Sequence, residues 1–136
     1  MDELRAALRT DMTIDIVTTG ARTGQARRIE IWFMNVDGQI IITGTVRDGR
    51  GGPRLPRDWL ANMAATPEFV FCLKESVVAE LPALARVVRD ADERRRLMTA
   101  PATSWYREQG DTLEELLEDA PIVAVEFLGD YAALNR

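Results

Sequence analysis

Thr18-Thr19-Gly20-Ala21-Arg22-Thr23-Gly24-Gln25-Ala26-Arg27-Arg28-Ile29-Glu30-Ile31-Trp32-Phe33 decides how the rest of the chain is read. Threonines lead into a polar loop bounded by two glycines. Beyond it Ile29, Ile31 and Phe33 alternate with Glu30, Trp32 and Met34, the period of a half-buried strand. The segment reads as strand, tight loop, strand. Arg22, Arg27 and Arg28 lie in or just past the loop. Guanidinium groups held close together suit phosphate or carboxylate, because each offers fixed paired donors. An anion-binding loop on a β scaffold points to a phosphorylated cofactor or ligand.

Working outward, Thr13–Thr19 is the incoming strand and residues 2–10 form an amphipathic helix with Leu4 and Leu8 on one face. Asp37-Gly38 predicts a type I′ hairpin turn, where both central residues take positive φ. Gln39–Thr45 is then a third strand, and Gly44 within it suggests a bulge or a close backbone approach. Residues 46–56 read as a Gly/Pro loop. A helix begins near Arg57 or Asp58 and ends at Thr66, before Pro67. Glu68–Lys74 and Ser76–Leu81 predict a second hairpin about Glu75-Ser76, with Pro82 marking an edge or bulge. Asp90–Met98 is a polar helix whose run Glu93-Arg94-Arg95-Arg96 reads as a solvated face. Thr99–Ser104 is a loop, Thr112–Glu118 a short helix, and Ile122–Phe127 the last strand.

Six short strands joined by hairpin turns predict a mainly β, α+β architecture: an antiparallel barrel or sandwich with helices packed on it, the strand number suiting a small, partly open barrel. The 136 residues fit one domain, 1–136. Apolar and charged contents of 46% and 29% are ordinary for a soluble chain. No apolar run reaches the ~20 residues of a membrane span. The single Cys72 and the acidic N-terminus predict a cytoplasmic protein.

The chain has no histidine. That excludes Ser-His-Asp and Cys-His catalysis and imidazole-bound zinc. Chemistry is left to carboxylates, hydroxyls or a bound cofactor. The net charge is −5, yet residues 22–57 hold seven arginines against three acids, which leaves −9 for the remainder. That acidic remainder opposes nucleic-acid binding. Two segments are candidates for one anion site: Gly20–Arg28, and Gly49–Arg57 at a helix N-terminus, where free N–H groups favour phosphate. Trp32 reads either as a pocket wall or as a strand aromatic. Trp105 and Tyr106 read either as a pocket cap or as a dimer contact.

The stretch from Thr18 to Arg27, followed by Ile31-Trp32-Phe33, resembles the signature of the deazaflavin-dependent nitroreductase family. That family belongs to the split β-barrel flavin-binding proteins related to pyridoxamine-phosphate oxidase. Asp58-Trp59-Leu60-Ala61-Asn62-Met63-Ala64-Ala65-Thr66-Pro67 resembles the tryptophan–asparagine helix of the same family. The likeness runs over roughly residues 13–128. It implies coenzyme F420, or alternatively FMN, lying against the barrel. By motif position, Arg22, Thr23 and Gly24 would hold the phosphate, Gln25 would be among the cofactor-binding residues, and Arg27 would be the next cationic contact. Arg54, Trp59 and Asn62 would also face the cofactor, and Thr43-Gly44-Thr45 would pass beside the ring system. The resemblance implies an oxidoreductase that passes hydride to a small electron-poor molecule such as a quinone, enone or nitroaromatic, with Tyr106 as candidate proton donor beside solvent. It also implies a homodimer. The rival class is a non-catalytic module that holds a flavin, haem or other anionic ligand on the same barrel.

Overall fold

The computed structural model describes residues 1–45, 58–109 and 112–135. In chain order the helices are α1 (Asp2–Thr10), α2 (Asp58–Ala65), α3 (Ala91–Thr99), α4 (Ser104–Arg107) and α5 (Leu113–Asp119). The strands are β1 (Thr13–Thr19), β2 (Ala26–Val36), β3 (Gln39–Thr43), β4 (Glu68–Leu73), β5 (Ala79–Val87) and β6 (Ile122–Phe127). All pairings are antiparallel, in the order β1-β2-β3-β6-β5-β4. The circuit closes because β4 also pairs with β1, Ile14 opposite Leu73 and Val17 opposite Val70. The barrel is therefore closed, where the sequence suggested a partly open one. Among the described residues, no helix is long and apolar enough to cross a membrane.

Alternation along β1 and the middle of β2 sends Ile14, Ile16, Ile31 and Phe33 into the lumen. There Phe71 stacks edge-on against Phe33 at 5.4 Å and Phe127 at 5.2 Å between ring centroids. A second core lies outside the barrel wall. It joins Met34, Ile41 and Ile122 to Leu97, Met98, Tyr106 and Leu116 of α3, α4 and α5. The run Ile40-Ile41-Ile42 thus loses its alternation for a physical reason: the strand is buried on both faces. The β2–β3 turn has Asp37 at φ 52° and Gly38 at φ 92°, as the Asp-Gly pair predicts.

Each end of the barrel is plugged by a helix. Leu8 of α1 and Leu134 of the closing 3-10 turn (Gly129–Asn135) fill one end, and Met63 of α2 fills the other. At the α1 end the chain is clamped by polar bonds. Glu75 accepts from the N–H groups of Met12 and Thr13 at 2.7 and 2.8 Å, and Asp11 accepts from the N–H and hydroxyl of Ser76 at 3.2 and 3.0 Å. β4 and β5 pair as the expected hairpin, Leu73 opposite Ala79. The grip holds the connection between them, residues 74–78, against the end of α1 and the start of β1.

Two other expectations are corrected. The strand expected to end at Leu81 runs on through Pro82, which lies at a local edge just before the β6 pairing begins at Ala83. Pro82 sits within β5 opposite Val70, outside the β6 ladder, and its carbonyl accepts from Leu128 N–H at 3.0 Å. β5 continues past it to Val87. The missing N–H costs little there because no β6 ladder bond is lost. Arg94 does not lie on a solvated face. Its guanidinium donates to the carbonyls of Val88, Leu116, Leu117 and Ala120 at 2.7–3.2 Å. The last carbonyls of a helix lack partners within it, and Arg94 supplies them for α5. Burial pulls its pKa downward.

Candidate functional site

The β1–β2 loop is built from its two glycines. Gly20 N–H donates to Gln25 O and Gly24 N–H donates to Gly20 O, both at 2.8 Å. Gly24 has φ 69°, a left-handed conformation that side chains disfavour. A Cβ on Gly20 would lie 2.6 Å from Thr23 Oγ1. Thr23 Oγ1 also accepts from Gln25 N–H at 3.2 Å. The result is a six-residue loop folded onto itself, with Arg22, Thr23, Gly24 and Gln25 exposed at its tip.

Strand alternation then sorts the arginines. Arg28 points to the outer wall. It meets Asp15 Oδ2 at 3.0 Å and Glu80 at 3.9 Å, in a network where Lys74 also bonds Asp15 at 2.8 Å and contacts Glu30. The hydrogen bonds from Lys74 and Arg28 hold the Asp15 carboxyl below its usual range. Arg27 shares its face with Thr18, its β1 partner, and with Ile29. Among the described residues, neither the Arg22 nor the Arg27 guanidinium has a hydrogen-bond or ion-pair partner.

Helix α2 packs against this loop. Its apolar positions explain the docking: Met63 is buried in the lumen, and Trp59 and Leu60 pack on the same core. Asn62 is buried on the helix beside Met63. Its Oδ1 accepts from Ala21 N–H at 2.9 Å and its Nδ2 donates to Thr18 Oγ1 at 3.1 Å. Between loop and helix lies a cleft of about 470 Å³, whose lining includes Thr18, Arg22, Thr23, Arg27, Trp59 and Asn62, with Ile29 and Asp58 among the rest. Ile29 is 37% exposed, an apolar side chain left open beside two cations. The cleft therefore offers two unpaired guanidinium groups together with an indole and an isoleucine, and Asp58 is the acid in its lining. That donor set fits a ligand with an anionic group attached to a flat apolar body.

The other expected site residues are divided. Gly44 lies next to Trp59: a Cβ there would be 3.6 Å from the indole. Thr43 is fully buried with its hydroxyl unpartnered, and Thr45 is exposed. Arg54 lies outside the described residues. Trp32 is not in the cleft. It faces the outer core, edge-on to Trp105 at 5.4 Å and Tyr106 at 6.4 Å. Tyr106 is 3% exposed, and its hydroxyl donates to Gly44 O at 2.8 Å. Trp105 and Tyr106 are in helix α4. Sequence reasoning missed Thr18 and Ile29. Their signal was the strand period itself, which continues Ile14-Ile16 to Thr18 and Phe33-Ile31 to Ile29 at the α2 end.

The description F420H(2)-dependent quinone reductase belongs to a family model that matches residues 6–125. No curated protein matches the chain. Solved structures do. The conserved hypothetical protein Rv2991 from Mycobacterium tuberculosis aligns with TM-score 0.61 at 16% identity, over 90% of this chain and 77% of that one. An F420-H2 dependent reductase, FDR-A, aligns with TM-score 0.51 at 21% identity, over 85% and 95%. A protein solved as a domain-swapped dimer aligns with TM-score 0.52 at 18% identity, over 85% and 81%. At these identities the structural likeness speaks for the fold.

Proposed function

Because the match spans most of the chain, the protein belongs to the F420H(2)-dependent quinone reductase family, a family of oxidoreductases, and on that premise we propose that the cleft between the β1–β2 loop and α2 is where coenzyme F420 binds. The observation that carries this is the pair Arg22 and Arg27, unpartnered among the described residues and facing the same cleft as Trp59. Unpaired guanidinium groups beside a closed glycine loop are an anion site in waiting. When bound, reduced F420 supplies the hydride.

The residues of the chain bind, orient and exclude water. Arg22 and Arg27 hold the phosphate. The hydroxyl of Thr23 accepts from Gln25 N–H, so its own proton is directed away from that bond and toward other acceptors. Trp59 and Ile29 give the ring system an apolar wall. The Tyr106 proton is engaged by Gly44, so Tyr106 holds the end of β3 against Trp59 and solvent supplies the proton of the reaction. The substrate is a small electron-poor molecule: a quinone, enone or nitroaromatic. We further read the protein as a cytoplasmic homodimer, in keeping with a neighbour solved as a dimer.

The test is parallel titration with F420 and FMN, followed by cofactor fluorescence, and turnover of a quinone with the bound cofactor. Tighter binding of F420 and quinone reduction are expected. Tight binding without turnover of any of the three substrate types would favour the non-catalytic module. Preferred binding of FMN would replace the cofactor and keep the site. Light scattering at twice 15.2 kDa is expected for the dimer.

A further inference from the structure

Apart from the Tyr106 phenol, the polar side chains buried among the described residues are Thr18, Thr43, Asn62 and Thr103. Thr103 satisfies carbonyls beside α3. Thr18 and Asn62 bond each other at the floor of the cleft. A buried amide is costly unless its bonds are made, and Met63 beside it already docks α2 with apolar area. The amide therefore serves something that docking does not require.

Its two bonds show what. Nδ2 reaches Thr18, the last lumen-facing residue of β1, and Oδ1 reaches the N–H of Ala21, three residues on. One side chain bridges the departure of the loop from the strand and fixes the backbone immediately before Arg22. Thr18 Oγ1 accepts this bond, so its own proton is turned away from Asn62. We propose that Asn62 is a positioning residue: it does not touch the cofactor but sets the loop from which Arg22 reaches the phosphate, with Thr18 as its anchor. The proposal rests on the cleft being the F420 site. A pre-set origin for a long, mobile guanidinium lowers the ordering cost of binding.

The experiment uses the full chain, F420 as probe, and the variants Asn62→Leu, Thr18→Val, Thr18→Ser and Arg22→Ala. Asn62→Leu and Thr18→Val are each expected to weaken F420 binding roughly tenfold, the size of one lost buried hydrogen bond. The loss should appear in the F420 dissociation constant, and Thr18→Ser should restore wild-type affinity. Asn62→Leu should add little on top of Arg22→Ala, because both act through the same contact. In ligand-free protein, NMR should find the Ala21 amide exchanging faster in Asn62→Leu. Should Asn62→Leu fail to fold, Thr18→Val against Thr18→Ser decides. A loss in Asn62→Leu with none in Thr18→Val would mean direct contact with the cofactor and overturn the proposal. So would full additivity with Arg22→Ala, or wild-type affinity in both variants. If wild-type protein ignores F420, or Arg22→Ala binds it normally, the cofactor reading fails, and the Ala21 exchange rate alone decides whether Asn62 holds the loop.

Discussion

The two ends of the barrel are plugged by helices of similar length, yet they are finished in opposite ways. At the α1 end, charged side chains close on backbone: Glu75 on Met12 and Thr13, Asp11 on Ser76, Arg5 on the Ala133 carbonyl at 2.7 Å. At the α2 end, the bonds that tie helix to loop are neutral, through Asn62 and Thr18, and the charged groups Arg22 and Arg27 are left over. The difference teaches where binding capacity resides. A charge spent on the protein's own backbone is unavailable to a ligand. The α2 end keeps its cations available by letting an amide do the tying.

The sharpest break in the comparison comes from removing the plugs. Met63→Ala and Leu8→Ala should each cost about 2–5 kcal/mol by leaving a cavity in the lumen. Both should lower the melting temperature, but only Met63→Ala should also weaken F420 binding. Equal losses of binding in the two would mean that the ends are not independent. Next in size, Arg22→Ala and Arg27→Ala should weaken F420 binding by roughly 10- to 150-fold, at about 1.5–3 kcal/mol per charged hydrogen bond. Binding should fall further as salt rises, with no change in melting temperature. Wild-type affinity in both would make the loop a structural hairpin.

Acid should separate the ends by a different route. The N–H groups of Thr13 and Met12 hold the Glu75 carboxyl below its usual pKa. A depressed folded-state value means that its stabilisation is present above the unfolded value of about 4.3 and is lost as pH falls through the lower one. Below about pH 4, amide exchange should therefore rise in α1 and at Thr13 before it rises at Ala21, whose partner does not titrate. Glu75→Gln should mimic this at neutral pH, with a loss on the order of 1 kcal/mol because solvent screens the bond. Simultaneous loosening of both ends would remove the distinction. Smallest of all, Arg95→Ala, on the exposed side of α3, should change neither stability nor binding.

Much of the barrel is written in local pattern. β1 and β6 are found within their observed bounds because period and turn chemistry agree, and Asp37-Gly38 dictates its turn by φ alone. What local pattern cannot carry is a partner distant in sequence. Arg94 reads as one charge in a run of four, since nothing nearby announces the carbonyls of α5 that it meets. Pro82 reads as a strand end because its lost N–H matters only if β6 lies alongside at that residue, and β6 is forty residues away. The site divides in the same way. Arg22, Arg27 and Trp59 are visible as motif residues, and the structure brings all three to one cleft. That Arg28 belongs to Asp15 and Asn62 to Ala21 depends on which strand and loop stand opposite, and only the fold reveals it.

The closed circuit of strands has a consequence for how this molecule meets other chains. A sheet with a free edge invites an extended peptide to add itself as the next strand, by backbone bonds that need no particular side chains. Here every described strand already has a neighbour on both sides. Recruitment by backbone alone is closed to it. A second copy must be recognised through the side chains on the outer wall, or must exchange a segment and rebuild the same ladder with foreign chain. The barrel thus makes association a matter of sequence rather than of exposed backbone, which guards a small protein rich in β-branched residues against indiscriminate stacking.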